Sequence, residues 1–431
     1  MPKELENIED YIPYIQHRID HKYIEESRIY MRIIEYLFDK KNISVNGDMT
    51  RINGESCHAV YSEILVKGAK VHQELAKNNK AVEVIMPRHR SLFDYSVEQP
   101  VHHRLINPNV MLVAGDNLFV GQFNHFMRKY GAFKFLRKDV TLKYPGLPPV
   151  FLSQSRYMDE LFPCYLKHEM IEAKGWDKKH MDMIVYAEQE KHPSTKKRGG
   201  GRSKTGKLRD LNFSFFDKFR AISRDSGIQL YIVPVNGGLS KVPEVPYIVD
   251  PPPAKGIMRA VRYALEQYFC FISYPKFAIK KPKAKLKAIV QYGDPIPLET
   301  NFKSMRDLFI YSTEIRDKIG KLESIFPVTL IYRAMENEEK VNLKKLEERM
   351  KQLLEKYQKQ DIIVSPCVDK QGNLLPVKEM TEEAVEHLNL NPNYYIKEAK
   401  NGKFLKLKGD QIISLHPAVQ QWYYNNVIHL D

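Results

Sequence analysis

Five short apolar runs, at residues 81–87, 109–118, 181–188, 230–237 and 288–293, constrain the fold of this chain more than any other feature. Each has the length of a strand and is rich in β-branched or aliphatic residues, and all but 181–188 end at or beside a turn residue or a proline. Runs of this kind read as strands buried in a sheet. Helical spacing fills the intervals, with Phe119, Phe123, Phe126, Met127 and Tyr130 on one side of one such stretch and a further helix over 258–268. Alternation of the two predicts an α/β fold: a mixed β-sheet flanked by helices.

The flanks follow a different pattern. Tyr14, Ile15, Ile19, Tyr23, Ile29, Ile33, Ile34 and Leu37 recur at helical spacing, turn signals follow at Asn46-Gly47 and Asn53-Gly54, and residues 60–75 resume the helical pattern. Beyond residue 300, Leu343, Leu346, Met350, Leu353, Leu354 and Tyr357 form an apolar stripe suited to docking on a main domain. The expected organisation is an N-terminal helical domain (1–80), a catalytic domain (81–300) and a C-terminal, mainly helical extension (301–431). Residues 361–431 carry no assignable chemistry.

The first strand leads into His89-Arg90-Ser91-Leu92-Phe93-Asp94. On a single helix, residues five apart point about 140° from one another, so His89 and Asp94 meet only if His89 precedes the helix. Strand–turn–helix supplies that geometry. An imidazole can then take a proton from a hydroxyl while the carboxylate fixes its tautomer. Ser91 to Asp94 equally fits a capping box that ties down the first helical turn.

Charge narrows the partners. The chain has 67 Lys and Arg against 53 Asp and Glu, a net charge of +14, which favours an anionic partner such as a membrane surface or a phosphorylated substrate. Arg137 and Lys138, at the end of a short strand from 131, could bind a phosphate at the same edge as His89. Residues 191–207 are polar, basic and glycine-rich, and predict a mobile loop. Gly201-x4-Gly206-Lys207 resembles part of a nucleotide-binding P-loop, but Leu208 stands where Ser or Thr is needed. An anion clamp closing over a phosphorylated substrate is the other reading. Base-stacking aromatics are absent from the loop, so nucleic acid is not expected as a partner.

Four scattered cysteines suggest a reducing compartment. His17 and His21 have the spacing of a metal pair without a third ligand nearby, so no metal is expected. Neither a signal peptide nor a transmembrane run is evident, and membrane contact would be peripheral, at a cytoplasmic face. Lysines between 280 and 287 could rest on anionic headgroups or merely protect a sheet edge.

The order of these motifs resembles the four blocks of the glycerolipid acyltransferase superfamily over roughly residues 80 to 300. His89-x4-Asp94 is followed by the stretch from Gly131 to Lys138, then by Glu188 with Gly201-Arg202-Ser203, then by Val233-Pro234-Val235. The similarity is greatest to the glycerol-3-phosphate and dihydroxyacetone-phosphate acyltransferases. It implies a fatty acyl transfer from acyl-coenzyme A or acyl carrier protein to the sn-1 hydroxyl of glycerol 3-phosphate, the first step of phospholipid biosynthesis. His89 would be the base and Asp94 its orienting partner. Arg137, Lys138, Arg202 and Ser203 would bind the substrate phosphate, with Ser91, Glu188, Gly201 and Pro234 in support. No cofactor is implied. The polar insertion between Glu188 and Gly199 leaves Glu190 as an alternative match.

Overall fold

Alternate residues of the run at 81–87 fall into two different cores. Val82, Val84 and Met86 pack with one set of buried side chains and Ile85 with the other, and none is more than 1% exposed. Leu230 and Ile232 divide from Val233 and Val235 in the same way, as Met183 and Val185 do from Ile184. The strands therefore lie in a sheet covered on both faces, which is why their sequences read as continuous apolar runs.

The computed structural model describes residues 3–11, 43–53, 60–78, 81–115, 132–135, 139–144, 146–172, 180–191, 198–200, 203–249, 273–365, 367, 374–390 and 403–431. The first six strands among the described residues are β1 (Ile43–Asn46), β2 (Met49–Asn53), β3 (Tyr61–Lys67), β4 (Ala81–Pro87), β5 (Val110–Gly115) and β6 (Ala132–Phe135). After a separate hairpin, β7 (Val140–Tyr144) and β8 (Leu147–Leu152), comes β9 (Asp182–Val185). The short strands β10 (Glu188–Lys191), β11 (Arg198–Gly200) and β12 (Asp210–Leu211) form a sheet of their own, and β13 (Gln229–Leu239), β14 (Leu286–Tyr292) and β15 (Ile296–Pro297) return to the centre. The central ten-stranded sheet has the order β1-β2-β3-β14-β13-β4-β9-β5-β6, with β15 beside β13. From β13 to β6 the strands run parallel; β13 with β14, β1 with β2, and β2 with β3 are antiparallel. This is the expected mixed sheet flanked by helices.

The N-terminal reading needs correction. Residues 61–67 form a strand, parallel to β14, and only 69–75 form the expected helix, α1 (Ala69–Leu75). Ile64, Leu65 and Val66 are all buried because the strand lies inside the sheet, and apolar residues three abreast mimic helical periodicity in a short window. With β1 and β2, this strand carries the sheet across the expected boundary at residue 80. Residues 12–42, where the helical spacing was clearest, lie outside the described residues.

Helices cover the two faces. α2 (Glu98–Leu105) follows the His89 segment, and α3 (Phe213–Ser226) and α4 (Met305–Lys321) pack Phe216, Phe219, Leu308 and Ile315 into the core that holds Val84. The opposite core receives α5 (Pro327–Ala334), α6 (Leu343–Lys359), α7 (Val377–Asn389) and α8 (Pro417–Asn426). The stripe on α6 does what its spacing predicts: Leu346, Met350, Leu354 and Tyr357 are buried.

Part of the 191–207 stretch forms strand where a loop is expected. Its start pairs Gln189, Glu190 and Lys191 with Gly200, Gly199 and Arg198. Lys207 is followed by extended residues and the next helix begins at Phe213, so the helix that a P-loop places directly after its lysine is missing there. Gly206 serves the fold instead. It has φ +80, and a Cβ built there would sit 2.1 Å from the Trp422 carbonyl oxygen on α8. Gly206→Ala should therefore destabilise the chain by about 2 kcal/mol or more, whereas Gly227→Ala, at φ +69 with nothing within 4 Å, should cost only about 1 kcal/mol. Denaturant unfolding of both variants checks the difference.

Candidate active site

β4 ends at Pro87, and His89 lies just beyond the carboxyl end of a parallel strand, where open α/β sheets gather their ligands. The next turn begins with Ser91, whose side chain accepts from Phe93 N at 3.0 Å and caps the 3₁₀ turn Leu92–Ser96. Asp94 closes the capping box by accepting from the Ser91 and Arg90 amides, both at 2.7 Å. The same oxygen, Oδ2, lies 3.2 Å from His89 Nδ1. Capping and orientation of the histidine are thus one arrangement, and the two readings of the motif do not compete.

A carboxylate on Nδ1 favours the tautomer protonated there, which leaves Nε2 as an acceptor. Nε2 faces the Tyr95 hydroxyl at 3.1 Å. Tyr186 also packs against the ring, 4.4 Å between centroids, and touches Tyr95, 4.8 Å between centroids; its hydroxyl donates to Glu98 Oε2. His89 is only 4% exposed. Burial pushes the Glu98 carboxyl well above its ordinary range, reinforced by the charge of Asp94.

Further carboxylates fix the backbone of the motif. Glu188 accepts from His89 N at 3.1 Å and from Arg209 Nη2 at 3.3 Å, and Glu244 accepts from Ser91 Oγ at 2.7 Å and Leu92 N at 2.6 Å. Glu323, fully buried, bridges Arg88 and Arg90, the latter at 2.7 Å. Arg90 also donates to Asn236 Oδ1 at 2.8 Å, and Arg88 reaches the Gly206 and Asn426 carbonyls at 2.7 and 2.9 Å. Burial lowers the Arg88 guanidinium to about 10; it opposes ionisation of Glu323 too, yet the charges of Arg90 and Arg88 hold that carboxyl at about 2.

The other expected site residues fall in three groups. Ser203 lies beside the motif, its amide donating to the His89 carbonyl at 3.3 Å, but its hydroxyl donates to the Lys207 carbonyl at 2.9 Å and is fully buried. Pro234 sits within β13, opposite Met86, at the break between pairing with β15 through Ile232 and with β14 from Val235, where its missing N–H interrupts neither antiparallel ladder. Gly131, Arg137, Lys138, Gly201 and Arg202, with His17 and His21, lie outside the described residues. β6, which precedes Arg137, runs parallel to β5 and points to the same sheet edge as β4.

Several residues of the site carry no local sequence signal. Arg209, Glu244 and Glu323 are separated from His89 by more than a hundred residues of chain and became visible only through the fold. The C-terminal helix belongs to this group: Trp422 Nε1 donates to the Ser203 carbonyl at 3.1 Å and Asn425 Nδ2 to the Thr205 carbonyl at 2.8 Å.

No protein-family model matches this chain, and no curated protein sequence does. Among solved structures it is similar to the 1-acyl-sn-glycerophosphate (LPA) acyltransferase PlsC from Thermotoga maritima, with 13% identity and a TM-score of 0.32 over 68% of this chain and 79% of that one.

The Arg88–Glu323–Arg90 bridge is open to a direct test. Glu323→Gln leaves two buried guanidinium groups without their shared counter-charge and should cost about 3–5 kcal/mol in denaturant unfolding. The folded carboxyl is held at about 2 against an ordinary 4.5, so its stabilisation is complete above about pH 4.5 and lost as pH falls through about 2. The variant should lose that segment of the acid-unfolding profile.

Proposed function

We propose that this chain is an O-acyltransferase that moves a fatty acyl group from acyl-coenzyme A or acyl carrier protein to the sn-1 hydroxyl of glycerol 3-phosphate, at the cytoplasmic face of a membrane. The observation that carries the reading is the buried His89 Nδ1–Asp94 Oδ2 contact at 3.2 Å, which leaves Nε2 as the basic nitrogen at the strand end. The order of the sequence blocks supplies the substrate class.

In this reading the acceptor hydroxyl takes the position at Nε2 that the Tyr95 hydroxyl holds in this structure. Its oxygen attacks the thioester carbonyl as Nε2 removes its proton, and Asp94 stabilises the imidazolium. Collapse of the tetrahedral intermediate forms the ester and expels the thiolate, which recovers the proton from His89. Arg137, Lys138 and Arg202 would hold the acceptor phosphate. Ser203 would act through its backbone rather than its hydroxyl, which is already committed to Lys207. Glu188 and Ser91 would fix the main chain of the motif.

Peripheral contact with anionic lipid fits the net charge of +14 and the exposed Met305, Phe309 and Ile310 on α4. Among the described residues no helix is long and apolar enough to cross a membrane.

Thiol release from a long-chain acyl-coenzyme A, measured with and without glycerol 3-phosphate, tests the proposal. Release should depend on the acceptor, and His89→Ala should lower it about 10²- to 10⁴-fold while leaving the unfolding transition in place. A variant that retains most turnover would sink the mechanism. Dihydroxyacetone phosphate and a lysophospholipid, run in parallel, identify the acceptor. Arg137→Ala and Arg202→Ala should each raise the apparent KM for the phosphorylated acceptor about tenfold or more with a smaller change in kcat; unchanged values would put the phosphate elsewhere.

A further inference from the structure

A second buried cluster of ionisable groups lies at the opposite end of β4. Glu83, six residues before His89 and so about 20 Å away along an extended strand, points into the same region as Asp182, the first residue of β9, and His102 on α2. A potential ligand atom from each lies within 4.8 Å of the other two. All three side chains are at least nine-tenths buried: Glu83 is 2% exposed, Asp182 3% and His102 0%.

Hydrogen bonding accounts for part of this cluster. Asp182 accepts from Glu83 N at 2.8 Å and Asn107 Nδ2 at 2.7 Å, and meets His102 Nε2 at 3.1 Å. His72, on α1, faces the Gly293 carbonyl through Nε2 at 3.0 Å and Glu83 Oε1 through Nδ1 at 2.6 Å. A carbonyl only accepts, so His72 Nε2 carries a proton and the ring is held in a fixed orientation. What the hydrogen bonds leave over is specific: Glu83 Oε2 and His102 Nδ1 are buried without a partner. Two carboxylates buried together beside two imidazoles, with a Glu83 oxygen unused, can take a cation between them.

We infer that Glu83, His102 and Asp182 form a binding site for a divalent cation of the zinc class, with His72 and Asn107 orienting the two carboxylates. Two carboxylates neutralise a dication, and imidazole with carboxylate oxygen is a donor set that zinc accepts. Ligand atoms on a tetrahedral zinc stand about 3.4 Å apart, so the present spacing closes with side-chain shifts of about 1 Å. The outer partners are of the usual kind, since ligating carboxylates are themselves hydrogen-bonded. Occupancy would tie β4, β9 and α2 together, a structural role separate from the chemistry at His89.

The full-length chain, purified with zinc in the buffer and then passed over a chelating resin, should retain about one equivalent of zinc by mass spectrometry. Stripping with dipicolinate should lower the melting temperature by several degrees, and added zinc should restore it. Cobalt substitution should give visible d–d absorption of tetrahedral intensity. His102→Gln and Glu83→Gln should each weaken zinc retention about a hundredfold or more. Glu83→Gln removes a buried acid and keeps a hydrogen-bonding group toward His72, so it should still fold. Zinc retained equally by both variants would locate the ion elsewhere and overturn the site. A wild-type melting temperature that zinc and dipicolinate leave unmoved, with no tetrahedral cobalt spectrum, would reduce the cluster to two buried hydrogen-bonded pairs.

Discussion

Glu323 is the point on which the candidate site hangs. It is fully buried and lies in the short segment between α4 and α5, yet it holds the two arginines on either side of His89. Through them it reaches Asn236 in β13, the Gly206 turn and the C-terminal helix. The net contribution of such a buried ionic bridge over an apolar replacement is small, because desolvating three charges offsets most of their attraction. Its effect is directional. An apolar core would tolerate His89 in several orientations; guanidinium forks held by Glu323, Asn236 and main-chain carbonyls restrict the backbone on either side of it.

The same economy governs Asp94. One carboxylate oxygen closes the turn, by accepting two amides, and meets the histidine ring. A side chain that fixes the backbone around itself has little rotamer freedom left, so the imidazole is aligned without a further group. Tyr95 and Tyr186, packed on each other, cover adjoining flanks of the imidazole. In the proposed reaction the Tyr95 hydroxyl would have to yield Nε2 to an incoming alcohol, and a hydrogen bond between neutral groups, worth about 1 kcal/mol net, is within reach of substrate binding energy.

What could be read from the sequence follows from range. The strands around the site were legible because burial on both faces leaves an unbroken apolar run, and the His89–Asp94 relation was legible because a strand end and one turn lie within six residues. Two local readings failed where local pattern is ambiguous. Ile64-Leu65-Val66 fits a helix or a buried strand equally well, and only pairing with β14, more than two hundred residues later, decides for the strand. Polar and glycine-rich character predicted a loop at 191–207, but backbone pairing does not depend on apolar side chains, and β10 with β11 formed regardless. Glu323, Glu244, Arg209 and Trp422 had no local signal at all. A buried charge is indistinguishable from a surface one until its partner is known, and here each partner is remote in sequence.

β4 has a cluster of buried charge at each end, and the comparison between them separates two uses of the same chemistry. At the carboxyl end the carboxylates near His89 take amide, guanidinium and hydroxyl donors, with Glu98 Oε1 left over, while His89 Nε2 faces the Tyr95 hydroxyl. At the amino end the carboxylates and imidazoles face one another, and unused donor atoms remain inside. The two are joined by α2, whose first residue, Glu98, accepts from Tyr186 beside His89 and whose second turn carries His102. Whatever holds His102 in place therefore also sets where α2 begins. The position of Tyr186 against the imidazole, which no residue of the His89 motif itself determines, would follow from it.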